Sequence, residues 1–335
     1  MAVTIRARVP ASSANLGPGF DIFSVALESP CLEVDLTPAP SGTRRIIVEG
    51  VDGAEKEADP RFNSAGIALE ALAADRGKPN GYVLRIRGNI PPTKGLGRSG
   101  AEAVGAILCA DRKFKLGIRG LGLVQMAGRA EPSNHLDNVS AAALGGFNIV
   151  TRTSAGQQEV TTIRPPKDLG VAIVVPNVEK PSTEAARKVV PTQIRIAEHV
   201  QTVGQAARAS AAFLRGDVQA ILETLPWDEV VEPARANHGL YGAGVDSGYL
   251  WEEKKMLLEK FNVAETISGA GPAKALWYSI SQDHNRKRRN RVGTIQPAIA
   301  LVTERLMSLG HEVQDLFVTR PSSKGAEIIT HPRRR

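Results

Sequence analysis

Only two cysteines, Cys31 and Cys109, occur in 335 residues. That is too few for a disulfide scaffold or a zinc site, and it fits a chain that works in a reducing compartment. No apolar run approaches the roughly 18–20 residues a membrane-spanning helix needs. The opening stretch, MAVTIRARVP, has no apolar core and alternates like a strand. A secretory leader is therefore not expected, and the cytoplasm is the expected location.

An even charge distribution is also lacking. The net charge is +7, but Arg286, Lys287, Arg288, Arg289 and Arg291 crowd one short run and Arg333, Arg334 and Arg335 end the chain. Without those eight, 34 basic residues face 35 acidic ones. The body is close to neutral, and the two patches read as a solvated loop and a tail rather than a polyanion site. No nucleic-acid or membrane partner is expected. What is present is a packed chain: 42% hydrophobic and 23% charged residues exclude disorder and fibre. The length suits two ordinary domains or one large one.

Strand-like and helix-like runs alternate throughout. Val3, Ile5 and Ala7 open a strand, and LEVDL (32–36), RRIIVEG (44–50) and YVLRIRG (82–88) predict three more. Ser64 reads as the N-cap of a helix with Ala65, Leu69 and Leu72 on one face. Helices are expected over 100–112, 121–130, 191–215 and 249–260, and strands over 274–280 and 311–319. The polar, Pro-Pro-bearing stretch near 160–170 precedes the wholly apolar VAIVVP (171–176) and predicts a boundary there. The expected architecture is α+β, with domains at 1–165 and 166–330.

The segment IPPTKGLGRSGAEAVGAIL (90–108) carries the most chemistry. Gly95, Gly97 and Gly100 satisfy G-x-G-x-x-G, yet Pro91 and Pro92 separate them from the strand, and KLGIRG (115–120) lacks the carboxylate a dinucleotide fold places there. No Lys-Ser/Thr pair follows the last glycine, so a Walker loop is excluded as well. Glycines that open a helix still offer close backbone N–H groups and a positive dipole end to an anion. A plain glycine turn ahead of an alanine-packed helix would read the same way. Two further pieces decide between them: the polar loop ASSANLGPGFDIFSVAL (11–27) and the turn TISGAGPAKALWY (266–278).

Together these three segments resemble, in order and spacing, the signature motifs of the GHMP small-molecule kinases. The ANLGPGFD loop, HLDNVSAAALGGF (135–147), PSTEAARKVVP (181–191) and VVEPARANHGL (230–240) are most similar to homoserine kinases. The resemblance implies a ribosomal-protein-like N-terminal domain, a ferredoxin-like C-terminal domain and ATP between them. It implies Mg²⁺-dependent phosphorylation of the L-homoserine hydroxyl to O-phospho-L-homoserine in threonine biosynthesis, and a homodimer. Another small alcohol as acceptor, or a non-catalytic nucleotide-binding regulator, are the alternatives.

The same resemblance assigns residues. Pro92, Lys94, Gly95, Leu96, Gly97, Arg98, Ser99, Gly100 and Ala101 would bind ATP, with Ser99 and Glu131 on the metal. Asn15, Asp21, His135, Asn138, Arg187, Arg235 and Gly269 would bind substrate, with Asp21, Asn138 and Arg187 acting in catalysis. Arg235 would clamp the carboxylate as a forked guanidinium does. The chain departs from the family pattern at Arg98, where a serine is usual, in the short Glu131–His135 interval, and at Ala141, where proline is usual. Arg98 is expected to reach the phosphates.

Overall fold

The computed structural model describes residues 3–50, 53–77, 79–179, 182–288 and 293–329. The elements run β1 (Ile5–Asn15), β2 (Gly19–Pro38), β3 (Arg44–Glu49), β4 (Glu55–Ala58), α1 (Ser64–Arg76), β5 (Tyr82–Gly88), α2 (Arg98–Phe114), α3 (Leu121–Gly128), α4 (Asp137–Leu144), β6 (Phe147–Arg152) and β7 (Gln158–Ile163). Then follow β8 (Leu169–Pro176), α5 (Thr183–Lys188), α6 (Ile196–Arg215), α7 (Val218–Thr224), α8 (Val231–Asn237), α9 (Ser247–Phe261), β9 (Ala264–Ile267), β10 (Lys274–Ser279), α10 (Ile280–Arg288), α11 (Ile295–Ser308), β11 (Val313–Thr319) and β12 (Glu327–Ile329).

The mixed α+β class stands. The first sheet has the order β12-β1-β2-β5-β3-β4, with β6 and β7 added along β2. Twenty-residue β2 makes this possible, because Phe23–Val25 pair with β6 while Leu32–Pro38 pair with β5. The second sheet is β11-β8-β10-β9, antiparallel throughout. Residues 164–168 carry the chain from one sheet to the other, and β12 returns to β1.

Strand β8 explains its wholly apolar sequence. Val171, Ile173 and Val175 face a core shared with the first sheet, while Ala172 and Val174 pack with Leu257, Val302 and Leu306 of α9 and α11. A strand buried on both faces has no place for alternating polarity. The shared core is marked by Phe147 of β6 and Phe213 of α6, stacked with centroids 3.8 Å apart. Helix α2 lies close on β1 and β2 because Gly105 faces them; a Cβ there would meet Val34 at 2.6 Å.

Local expectations shift in three places. Asn63, not Ser64, caps α1, its side chain accepting from the Ala65 N–H. The segment 11–27 is not a loop but the close of the β1–β2 hairpin, whose turn holds Asn15, Leu16, Gly17 and, just beyond it, Asp21 at positive φ. The helix expected from 191 begins at Ile196. Among the described residues, no helix is long and apolar enough to cross a membrane. Arg289, Arg291 and the terminal arginines lie outside the described residues.

Candidate active site

Three glycine segments distant in sequence are tied into one unit. The Ser12 N–H donates to the Leu96 carbonyl, the Gly269 N–H to Ala14, and the Ala273 N–H to Lys94. Gly95 and Gly97 are required by this knitting. A Cβ on Gly95 would meet the Ser268 carbonyl at 2.0 Å, and one on Gly97 would meet the Ser12 hydroxyl at 2.1 Å and Asn138 Oδ1 at 2.8 Å. Both also hold left-handed φ, which L side chains disfavour.

Gly97 is the N-cap of α2, and it supplies no capping side chain. The first-turn N–H groups therefore keep the positive end of the helix dipole free for an anion. They open onto a cavity of about 320 Å³ lined by Pro92, Gly95, Gly97, Ser99, Glu131 and Asn138, among others. Glu131 is buried there with Oε1 unpartnered. Burial pushes its carboxyl above the usual range, against the charge of His135 and the Ser99 hydroxyl beside it. Among the described residues no group of three His, Cys, Asp or Glu side chains gathers to hold a metal. One carboxylate and one hydroxyl beside a helix N-terminus suit Mg²⁺, which takes the rest of its shell from phosphate and water.

His135 borders this cavity and a second one, about 550 Å³, lined by Asp21, Ile22, Arg152 and Arg187. Its Nδ1 lies 2.9 Å from Asp137 Oδ1, and its Nε2 is buried 3.6 Å from Glu131 without a hydrogen-bond partner. Burial disfavours the imidazolium, but the two carboxylates outweigh it and raise the His135 pKa. Asp137 is held below the usual carboxylate range: burial would raise it, and the bonds from His135 and the Asn138 N–H prevail. Asn138 Oδ1 accepts from the Ser12 hydroxyl at 2.8 Å, so the side chain is fixed.

On the far side Arg187 grips Asp21 through both oxygens, at 2.8 and 2.7 Å. Two guanidinium groups approach the Phe20 ring, Arg187 at 5.7 Å and Arg235 at 5.3 Å from its centroid. Arg235 is only 3% exposed and donates to the carbonyls of Ala186 and Gly269. It has no carboxylate partner among the described residues. Helix α8 places it: Asp228 accepts from the N–H groups of Val230, Val231 and Glu232, and Glu232 binds Lys254 and the Ile267 N–H. In the E-P-x-R segment, then, the glutamate is scaffold and the arginine, one turn on, reaches the carbonyl of Gly269, a residue that lines the first cavity.

The GHMP kinases N terminal domain matches residues 63–146, a span that holds the glycine loop, α2 and the His135–Asn138 segment. A homoserine kinase from Methanococcus maripaludis is 33% identical over 268 residues, covering 79% of this chain and 84% of that protein. The chain belongs to the homoserine kinase family. A second member, from Halorubrum lacusprofundi, is 34% identical over 81% of this chain and 85% of its own. The crystal structure of a homoserine kinase from Cytophaga hutchinsonii superposes with a TM-score of 0.78 at 25% identity, over 98% of both chains.

Within this family frame, some expected residues face elsewhere. Lys94 turns its Nζ to the carbonyls of Pro176 and Val178, at 3.1 and 2.8 Å, and ties the loop to the end of β8. Ala101 is fully buried and Gly100 packs under Val139, so neither side of those residues lines the cavity. Arg98 lines it, but its Nε donates to Glu102 at 2.9 Å and its Nη1 to the Ile90 carbonyl at 2.7 Å. The long cation thus serves a buried carboxylate four residues on instead of reaching outward. Asn15 bridges the hairpin, its Nδ2 donating to Gly269 and its Oδ1 accepting from the Asp21 N–H. Sequence reasoning missed Ser12, Phe20 and Asp137. Each adjoins a residue it named, and the i, i+2 spacing of His135 and Asp137 was the available signal.

Proposed function

We propose that this chain transfers the γ-phosphoryl group of ATP, with Mg²⁺, to the hydroxyl of L-homoserine, yielding O-phospho-L-homoserine for threonine synthesis. The observation that carries this reading is a buried guanidinium, Arg235, with no carboxylate to match it among the described residues. A desolvated, unpaired cation is costly in a protein interior. A substrate carboxylate is the group that offsets it, and the names of the relatives agree.

The uncapped N–H groups at Arg98, Ser99 and Gly100 would hold the phosphates of the nucleotide in the field of the α2 dipole. Ser99 and Glu131 would hold the metal ion, which would supply positive charge against that developing on the transferring phosphoryl group. Asn138, fixed by Ser12, orients the acceptor hydroxyl with its remaining amide protons, and His135, oriented by Asp137, flanks it. Asp21 receives the substrate ammonium while Arg187 balances its charge. Because Arg187 engages both Asp21 oxygens, Asp21 is poorly placed to take the hydroxyl proton. A loose phosphoryl-transfer transition state lets that proton leave late, so positioning suffices.

In this reading residues 1–165 and 166–330 form the two halves of a cytoplasmic enzyme, with β12 completing the first sheet. A coupled ADP-release assay with L-homoserine, other hydroxy acids and polyols tests it. L-homoserine should give the highest kcat/KM. Turnover only with an acceptor lacking an amino-acid end would reject the substrate and keep the kinase.

A further inference from the structure

Tyr241 is a buried phenol whose hydroxyl has nothing to bond. The residue is 1% exposed, and the hydroxyl has no hydrogen-bond partner among the described residues. A buried tyrosine ordinarily finds one, because an unpaired O–H in a protein interior costs stability. The hydroxyl therefore needs an acceptor that the described chain does not supply.

The fold puts this hydroxyl in the surroundings of Arg235. The Leu240 N–H donates to the Arg235 carbonyl at 3.1 Å, which turns the segment after α8 back toward the arginine. The Tyr241 ring then packs with Ala186 and Ile267. It also lies so close to Gly271 that a Cβ there would meet the ring at 2.6 Å. The guanidinium addresses the same two pieces of chain, donating to the carbonyls of Ala186 and of Gly269 in the Ser-Gly-Ala-Gly-Pro turn.

The charges that act on the phenol are Glu232, Arg235 and Asp228. Both carboxylates are already engaged: Glu232 accepts from Lys254 and the Ile267 N–H, and Asp228 from the N–H groups of Val230, Val231 and Glu232. Arg235 carries donors only. Burial pushes the Tyr241 phenol well above its usual value, with Glu232 adding to the rise and Arg235 opposing it, so the hydroxyl keeps its proton. A donor without an acceptor thus stands near a cation without an anion. One carboxylate answers both needs.

We infer that Tyr241 is a specificity residue of the acceptor site, its hydroxyl donating to the acceptor carboxylate that pairs with Arg235; this rests on the homoserine reaction proposed above. Tyr241→Phe removes the hydroxyl and keeps the ring against Gly271. It should raise the KM for L-homoserine about 10- to 100-fold, the worth of a hydrogen bond to a charged group, with kcat and the KM for Mg-ATP changed by less than about twofold. 3-Aminopropan-1-ol, which is homoserine without its carboxylate, should be turned over equally poorly by wild type and variant, because the hydroxyl has nothing to give it. The melting temperature should stay the same or rise, since an unpaired buried O–H is lost. An unchanged KM for L-homoserine overturns the inference, as does an equal loss with 3-aminopropan-1-ol. A fall in melting temperature also overturns it, by showing that the hydroxyl is bonded within the chain. Failure of the wild-type chain to phosphorylate L-homoserine is a separate result and rejects the underlying reaction.

Discussion

Replacing Arg98 by serine, the residue usual in the family, should destabilise the protein, and the loss should depend on pH. Arg98 and Glu102 form an ion pair with side chains 13% and 9% exposed, and Asn63 donates to the other Glu102 oxygen at 2.9 Å. Burial already raises the Glu102 pKa above its ordinary 4.5, with Arg98 the main opposing influence. Arg98→Ser strands a buried carboxylate, a change that costs about 3–5 kcal/mol when the charge has no escape. Glu102 can escape by taking up a proton. From 4.5 to pH 7.5 that costs about 4 kcal/mol, and at pH 5.0 about 0.7 kcal/mol. The sign is that of a raised carboxyl: its contribution to stability is complete below 4.5 and is lost as pH rises through the folded value. Urea unfolding followed by circular dichroism at pH 7.5 and 5.0 reads the difference. Arg98→Ser should lose several times more stability at pH 7.5 than at 5.0, and adding Glu102→Gln should restore most of it. Calorimetric titration should find Mg-ATP affinity changed by less than about tenfold, since the guanidinium is committed to Glu102 and Ile90. A loss below about 1 kcal/mol, or one equal at both pH values, would refute the reasoning.

Arg235→Met should lower kcat/KM for homoserine by about 2–5 kcal/mol of transition-state stabilisation, while ATP binding persists. The same variant should keep or raise the melting temperature, because it removes an unmatched buried cation; a parallel fall in stability and activity would contradict that. Gly97→Ala should cost about 1–3 kcal/mol through its left-handed φ and its clash with Ser12, and Ser12→Gly should recover part of the loss in urea unfolding. Lys274 is buried between Glu253 and Glu265, with Arg305 also on Glu253. Lys274→Met should therefore cost about 3–5 kcal/mol, and a neutral result in chemical denaturation would show that the cluster is not held by its lysine.

The parts of this fold that were legible in the sequence are those governed by short-range rules. The strands at 32–36, 82–88 and 274–280 announce themselves by aliphatic runs, and the α2 helix by alanines after glycines. The hairpin at 11–27 was not legible, because Asn15 and Asp21 adopt positive φ only where Asn15 can bridge Gly269, 254 residues away. Lys94 illustrates a second limit. A lysine beside a glycine loop suggests phosphate, yet the carbonyls of Pro176 and Val178, at and just past the end of β8, take two of its three N–H donors, and no local pattern signals them. Arg98 shows the opposite limit: its partner Glu102 is a plain i, i+4 pair, and only burial makes that pair decisive. Motif matches bring Glu131, His135, Asn138, Asp21 and Arg235 into view, but only the fold shows Arg235 without a carboxylate partner among the described residues.

The most direct measurement is the identity of the product. Phosphorus and proton NMR of a reaction containing the enzyme, Mg-ATP and L-homoserine should show ADP and a new phosphomonoester, its phosphorus coupled to the methylene protons of the former hydroxymethyl carbon. Formation of ADP with free phosphate alone, or no turnover of L-homoserine at all, would contradict the account.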